Sequence, residues 1–395
     1  MNHGWEKKRL GDLCAYHRGL TYSKDDEVEK SSKSVLRANN INLETSTLNL
    51  DELKYLREDF YIAPKYLLSK DSILICMSNG SKSHLGKVAF IDKDSDYAFG
   101  GFMGLIIPKT NARFLYLFMT SPFFRSHLKK ITNGININNL KFSTLQDVFV
   151  PVPAANVQTK IVTELDRIKA LIEIKRNQLK DLGTLAQSLF YETFGEPFIN
   201  SKGWQIMNFG DLASSINYGT SLPAVDGGYY PYIRMNNLTD NGYLDLSNLK
   251  YIDIPESELD KCLVRKGDIL FNRTNSREKV GKSALFDRAD KMVIAGYIIR
   301  VRAKADMLNP VFAVRYLNLP ELKEHLRKIC RGAVNQANIN SKEMASIPFI
   351  VPPINLQNQF ASKIEAIEAQ KKLVEASIAD LETLFASRMD YWFND

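Results

Sequence analysis

The stretch from Gly4 to Leu13, GWEKKRLGDL, returns 199 residues later as GWQIMNFGDL, from Gly203 to Leu212. This echo limits the fold more than any other feature, because self-similarity at a fixed spacing means one unit built twice. The correspondence runs on through the chain. Leu36-Arg37-Ala38-Asn39-Asn40-Ile41 matches Ile233-Arg234-Met235-Asn236-Asn237-Leu238, and Leu53-Lys54-Tyr55 matches Leu249-Lys250-Tyr251. KDSIL at 70–74 matches KGDIL at 266–270. Gly86-Lys87 leads into apolar Val88 to Ile91 as Gly281-Lys282 leads into Ser283 to Phe286, and His127 to Ile131 matches His325 to Ile329. The offset stays between about 195 and 199, so few insertions separate the copies. Such a period is far too long for a solenoid, so two copies of a whole domain are expected. A length of 395 residues suits two domains of ordinary size.

Each copy has two parts. The first, about 150 residues, mixes short strand-like runs with Gly- and Asn-containing turns; the runs are Ser72 to Cys76, Lys87 to Ile91, Asp268 to Phe271 and Met292 to Val301. It closes on a helical stretch and a Pro-bearing segment, Val148 to Pro153 or Ile347 to Pro353. The second part is almost free of Gly and Pro. In the first copy Ile161, Leu165, Ile168, Ile172, Leu179, Leu182, Ala186 and Leu189 alternate steps of four and three, with Lys175 off the pattern. In the second copy Phe360, Ile364, Ile367, Val374, Ile378, Leu381 and Phe385 share that register, with Lys371 off it. Such spacing is the mark of a coiled-coil seam, and each helix is the obvious partner of the other. Two separate amphipathic helices, each covering its own domain, are the alternative. About 36 helical residues span roughly 54 Å.

The expected fold is therefore α+β, with two similar domains joined by two long antiparallel coiled-coil helices related by a pseudo-two-fold axis. The expected boundaries are 1–153 for the first domain, 154–195 for a central helix, 196–352 for the second domain and 353–395 for a C-terminal helix.

Three polar surfaces recur. The loop FNRTNSREKVGKS, 271–283, concentrates Arg273, Thr274, Asn275, Ser276, Arg277, Lys279 and Lys282, side chains able to reach base edges or phosphate oxygens. Its counterpart carries Ser78, Asn79, Ser81, Lys82, His84 and Lys87. The frame repeats while the loop contents differ, as two readers of different short sequences would require. A solvated hairpin loop is the plainer alternative. A second surface is GININNL at 134–140 and GAVNQANI at 332–339, with Asn136 and Asn138 facing Asn335, Gln336 and Asn338 in the comparison; an amide-lined turn bonding its own backbone competes with binding there. The third pairs Arg37, Asn39 and Asn40 with Arg234, Asn236 and Asn237, where a buried structural role competes evenly because both copies keep nearly the same residues.

Composition and motif searches remove other classes. The chain is 45% hydrophobic and 25% charged, with no apolar run of the roughly 20 residues a membrane helix needs and no signal-peptide core at its start. A cytoplasmic location is expected. Cys14, Cys76, Cys262 and Cys330 show no CxxC spacing, so neither a disulfide framework nor a metal site is expected. The net charge of +7 is spread through folded sequence, which fits a surface facing phosphates. Gly281-Lys282-Ser283 ends like a Walker A loop, but Ser276 stands where the first glycine belongs. The run YAFGGFMG, 97–104, is read as packed strand rather than a cofactor turn. No HExxH motif, ligand-spaced histidine pair or Asn-Pro-Pro-aromatic methyltransferase motif occurs. No catalytic residue and no bound cofactor are expected.

Taken in order and twice over, these motifs resemble one family closely: the DNA-specificity (S) subunits of type I restriction–modification systems. The residues that carry the resemblance are GW…GDL at 4–13 and 203–212, KGDILFNRTNSREKVGK at 266–282, RGAVNQANI at 331–339 and LFYETFGEP at 189–197. VPVPAANVQTKIV at 150–162 and PFIVPPINLQNQF at 348–360 complete the set. The first copy departs more, with Asn136-Ile137-Asn138 where the family favours a glutamine near Gln336 and no Arg-rich core at 78–84. The resemblance implies two target-recognition domains, each reading half of a bipartite site in double-stranded DNA, with the helices as a spacer. It also implies partners: two methyltransferase (M) subunits using S-adenosylmethionine and, through them, restriction (R) subunits driven by ATP with magnesium. A stand-alone DNA-binding regulator, or a specificity subunit of another multi-subunit restriction–modification class, is the alternative.

Overall fold

The computed structural model describes residues 4–81, 84–133, 139–333 and 336–394. The chain divides into two compact units, Met1–Arg176 with Ala376–Asp395, and Asn177–Glu375. Each is an α+β body with a matching core of elements in the same order.

The repeated decapeptide has a structural reason. Strand Glu6–Arg9 pairs antiparallel with Phe149–Val152, Glu6 opposite Val152, and Gln205–Asn208 pairs with Pro348–Val351, Gln205 opposite Val351. The first strand of each copy thus ties down the Pro-bearing segment that ends it, in one shared register. A two-stranded ribbon has free edges, so proline costs it no essential ladder bond. The glycine of GDL is fixed by close approach: a Cβ on Gly11 would lie 2.9 Å from the Gln146 Cβ, and one on Gly210 2.8 Å from the Ala345 Cβ.

The main sheet of the first unit runs in the order Cys14–Arg18, Met103–Pro108, Ser72–Cys76, Val88–Ile91, all antiparallel. The second unit repeats it with Ala213–Tyr218, Ile298–Ala303, Ile269–Asn272 and Ser283–Leu285. Ser72–Cys76 and Ile269–Asn272 are buried throughout, as expected for an interior strand. A second sheet in each copy contains one parallel pair, Val35 opposite Ala98 or Tyr232 opposite Val293. The run Met292 to Val301 is not one strand. Met292–Ile294 belongs to the second sheet and Ile298–Ala303 to the main one, with a turn over Ala295, Gly296 and Tyr297 between them. The first copy does the same, with Ser95–Phe99 and Met103–Pro108.

The central helix Ala155–Phe194 and the C-terminal helix Ile354–Phe393 are each 40 residues long. A buried glutamine fastens the start of each. The Gln158 amide donates to the Pro153 carbonyl at 2.9 Å and accepts from Thr110 Oγ1 at 3.0 Å. The Gln357 amide donates to Pro352 and Met307 carbonyls and accepts from the Asn309 N–H at 2.9 Å. In the first unit the two helices run antiparallel: Arg388 and Trp392 donate to the Glu164 carboxylate, Lys169 lies 5.2 Å from the Phe385 ring, and Arg176 pairs with Glu382 at 2.9 Å.

Burial along the expected seam varies in an informative way. Ile161, Leu165, Ile168, Ile172, Leu182, Phe360, Ile364, Ile367 and Val374 are buried, whereas Leu179, Ile378 and Leu381 are half-buried. Toward its end the buried face of the central helix shifts to Ala186, Phe190 and Phe194, leaving Leu189 half-buried. The reason is a broader target. Phe194 meets Phe312 at 4.8 Å and Phe360 at 5.1 Å, so the last turns face a domain core as well as a helix. The C-terminal helix ends alike, with Phe393 5.6 Å from Phe114 and Trp392 stacked on Trp5.

Candidate nucleic-acid interface

Two of the three polar surfaces are one surface. In the second unit the chain leaves strand Ile269–Asn272 and the Arg273 N–H donates to the Tyr297 carbonyl at 2.9 Å. The Arg273 carbonyl accepts from the Ile339 N–H at 2.9 Å. Thr274–Asn275 then pairs antiparallel with Gln336–Asn338, Thr274 opposite Asn338, and that strand pairs with Arg331–Ala333. Gln336 is placed through its backbone, opposite Ala333. The loop returns through a turn at Ser276 to Val280, whose side chain is buried, leaving Arg277, Glu278 and Lys279 exposed. Arg277 is steadied by a hydrogen bond from its Nε to the Arg327 carbonyl at 3.1 Å.

Arg273 sits over an aromatic ring. Its guanidinium carbon lies 4.8 Å from the centre of the Tyr218 ring, and the Tyr218 hydroxyl accepts from the Ser341 N–H at 2.7 Å. The Arg273 Nε and the Asn338 Oδ1 are both buried without a hydrogen-bond partner. One donor and one acceptor unsatisfied on one small surface cost stability unless something outside the chain pairs them.

The first unit builds the same frame with other contents. Ser78 bridges to Asn139, the Leu140 N–H donates to the Met77 carbonyl at 2.6 Å, and the Ser81 N–H donates to Asn79 Oδ1 at 2.9 Å. Ser78, Asn79 and His84 are half-buried and Ser81 is exposed. Lys82, Asn136, Asn138 and Asn335 lie outside the described residues.

Two lysines are held by the frame, Lys87 fully and Lys282 in part. Lys87 is only 2% exposed; its ammonium donates to the Ile41 carbonyl at 2.7 Å, and burial pushes its pKa down. Lys282 is mostly covered and its ammonium lies 2.8 Å from the Asp240 carboxylate. The cause is the Gly-Lys turn, which carries the chain back into the sheet: Lys87 and Lys282 carbonyls accept from the Cys76 and Asn272 N–H groups. The expectation that Lys87 faces DNA is corrected accordingly, while Lys282 is half-buried and paired with the exposed Asp240.

The third surface separates into frame and exterior. Asn40 and Asn237 are buried, accept from the Arg37 and Arg234 N–H groups at 2.8 and 2.9 Å, and donate to carbonyls of the following loop. That accounts for their repetition. Asn39 and Asn236 are exposed, and Arg37 and Arg234 are half-buried with their Nε atoms unsatisfied.

Beneath the second loop Lys323 donates to the Gly281 carbonyl at 2.5 Å. Burial lowers its pKa to about 7; Lys282 and Arg327 push the same way and Asp240 opposes them. The native state then sheds this proton near neutrality, while the unfolded chain keeps it into the ordinary lysine range. Stability must rise with pH across that window, because the unfolded state binds the extra proton. Lys323→Met, which removes the buried charge, is expected to raise the melting temperature at pH 6 by about 2–4 °C. The gain should shrink as pH climbs from 7 toward 10. Equal shifts at pH 6 and pH 9.5 in calorimetry would mean that the ammonium stays charged.

Among the described residues no group of three His, Cys, Asp or Glu could hold a metal ion, and the four cysteines are free thiols. No helix among them is long and apolar enough to cross a membrane. Fold and site together define a duplicated α+β protein with two matched polar surfaces on one scaffold.

Comparison with known proteins is decisive at the level of family. The profile described as "Type I restriction modification DNA specificity domain" matches residues 2–183 and again 201–383. The chain is 24% identical over 405 residues to the type I restriction enzyme EcoKI specificity subunit of Escherichia coli (strain K12), covering 96% of this chain and 85% of that protein. It is 24% identical over 403 residues to the StySPI specificity subunit of Salmonella potsdam, with the same coverage. Among solved structures, a chain from a study of complex assembly and conformational transition of the type I R-M system aligns with TM-score 0.61 at 17% identity, covering 98% of this chain and 97% of that one. The crystal structure of the S subunit from M. genitalium aligns with TM-score 0.55 at 14% identity, covering 99% and 96%. The chain belongs to the type I restriction–modification DNA specificity family.

Proposed function

We propose that the two matched loop surfaces are reading heads, each recognising one half of a bipartite target in duplex DNA. A type I specificity subunit recognises DNA and assembles with methyltransferase and restriction subunits. In this chain residues 1–153 and 196–352 act as the target-recognition domains, and 154–195 and 353–395 form an antiparallel coiled-coil spacer that fixes the gap between half-sites. The antiparallel contacts of the first unit support that spacer, as does the matched packing of each helix end on a domain core. The scaffold carries no chemistry of its own. S-adenosylmethionine, ATP and magnesium serve its partners, and the complex works in the cytoplasm.

The observation that carries this reading is one backbone frame presenting two different sets of side chains. Arg273, Thr274, Asn275, Ser276, Arg277, Lys279, Asn335, Gln336 and Asn338 read one half-site. Ser78, Asn79, Ser81, Lys82, His84, Asn136 and Asn138 read the other. Arg37, Asn39, Arg234 and Asn236 flank them. Arginine and the amides have the donor and acceptor geometry for guanine and adenine edges, and the remaining cations meet phosphate.

The test is binding by the complex formed with co-expressed methyltransferase subunits. It should show sequence preference for a two-part site and a steep salt dependence. Arg273→Ala should weaken binding by about 1–3 kcal/mol when one half-site is intact and have no effect when that half is scrambled. Equal loss on target and random duplex would reassign Arg273 to phosphate. A complex without sequence preference sinks the reading.

A further inference from the structure

The turn between the two sheets of each unit carries an aromatic ring that the polar loops do not explain. Phe102 and Tyr297 occupy the same place in the two copies, at the tip of turns closed by Met103 N–H to Gly100 carbonyl and Ile298 N–H to Ala295 carbonyl, both 2.8 Å. The residue after each, Met103 or Ile298, is fully buried, yet the aromatics themselves are 67% and 53% exposed. Tyr61 and Tyr229, the most exposed tyrosines, do not recur: by the offsets of the flanking repeats they align with Ser257 and Ser32, while Tyr251 recurs only as the half-buried Tyr55.

The two aromatics are built into the candidate interface. The Phe102 carbonyl accepts from the Met77 and Ser78 N–H groups at 2.9 and 3.1 Å, and the Tyr297 carbonyl accepts from the Arg273 N–H at 2.9 Å. Each ring therefore starts where its polar loop starts. The turn is also clamped from below. A Cβ on Gly19 would lie 2.0 Å from the Gly100 carbonyl oxygen, and one on Gly219 2.2 Å from the Ile294 carbonyl oxygen, so backbone packs directly on backbone. Cationic groups sit alongside: Arg273 on Tyr218 in one unit, and exposed Arg18, on the strand facing Met103–Pro108, in the other.

We propose that Phe102 and Tyr297 are DNA-contacting residues, one in each recognition domain, each laying its ring against the apolar surface of a base or deoxyribose beside the bases that the adjoining loop reads. The proposal rests on the DNA-reading assignment of those loops. The chemistry follows from what the pair shares. Phenylalanine has no donor or acceptor, so the common property is a rigid apolar face, which packs on a deoxyribose or a base edge and positions the duplex without choosing its sequence. The polar loop then selects. A ring on a clamped turn loses little freedom on contact, which makes it a suitable fixed stop.

The experiment uses the full chain assembled with its methyltransferase subunits, on the target identified by methylome sequencing and on duplexes with either half scrambled. Tyr297→Ala and Phe102→Ala should each weaken binding to the intact target about 5- to 100-fold. Melting temperature and assembly with the methyltransferase should stay unchanged. Scrambling one half should erase the effect of one variant and leave the other's, with the roles exchanged for the opposite half. Tyr297→Phe should bind within about twofold of the parent, because the ring carries the contact. Wild-type affinity in both alanine variants overturns the inference while leaving the reading heads standing. Loss of methyltransferase assembly also overturns it, by making the rings a protein contact. So does an equal loss in Tyr297→Phe, which would assign the work to the hydroxyl. A parent complex that fails to prefer the target refutes the underlying assignment instead.

Discussion

Phe190→Ala is expected to destabilise the second unit by about 3–5 kcal/mol, a fall of roughly 10 °C in its calorimetric transition. Phe190 is almost fully buried and meets five aromatic rings, those of Tyr191, Phe194, Phe312, Tyr316 and Phe360, with Phe312 stacked at 5.7 Å. Truncation removes the centre of that cluster, and four of its neighbours are themselves buried, so little can move in to fill the space. Leu179→Ala makes the control. Leu179 lies on the same helix and the same repeat pattern but is half-buried, so the loss there should stay near 1 kcal/mol. Equal losses at the two positions would show that the helix end is no more firmly anchored than its middle.

That contrast marks where sequence periodicity stops being informative. The alternation of three and four steps placed a 40-residue helix correctly in each copy and identified most of its buried face. Helical period is a local property and survives any tertiary context. The shift of the buried face from Leu189 to Phe190 and Phe194 is not local. It depends on Phe312 and Phe360, which arrive from more than 100 residues away. The duplication was legible for a different reason, since many weak matches in one order reinforce one another.

The candidate interface was legible in kind and misread in detail. Density of Arg, Asn and Ser between Asn272 and Gly281 marks a polar loop, but nothing local says that it pairs with Gln336–Asn338. Lys87 and Lys282 look like further phosphate contacts because lysine after glycine is usually exposed. The burial of Lys87 and the partial cover of Lys282 follow from the sheet register, which a single strand does not reveal. Phe102 and Tyr297 were hidden inside runs that read as strand. The available signal was the glycine before each of them, Gly101 and Gly296, in otherwise β-rich sequence, which marks a turn and exposes its tip.

Residues 1–199, produced alone, are expected to form a dimer and to read a palindrome of one half-site. In the full chain the first unit is completed by the end of the C-terminal helix. Met389, Trp392 and Phe393 are buried in its core, and Phe393 lies 5.6 and 5.8 Å from Phe114 and Phe118. Subtracting the 199-residue offset, Met389 and Phe393 correspond to Phe190 and Phe194, which the half-chain retains. The sockets correspond as well: Phe194 meets Phe312 in the second unit as Phe393 meets Phe114 in the first. The half-chain does not reproduce the bonds from Arg388 and Trp392 to Glu164, the stack of Trp392 on Trp5 or the Arg176–Glu382 pair, because Leu189 aligns with Arg388, Thr193 with Trp392 and Gly183 with Glu382. Loss of these half-buried contacts weakens the pairing, while the burial of two phenylalanines remains to drive it. The half-chain should therefore sediment as a dimer, and Phe190→Ala with Phe194→Ala should return it to a monomer with an exposed apolar core. With methyltransferase subunits the dimer should methylate inverted repeats of the first half-site and ignore the original target. A strictly monomeric half-chain would contradict the proposed spacer.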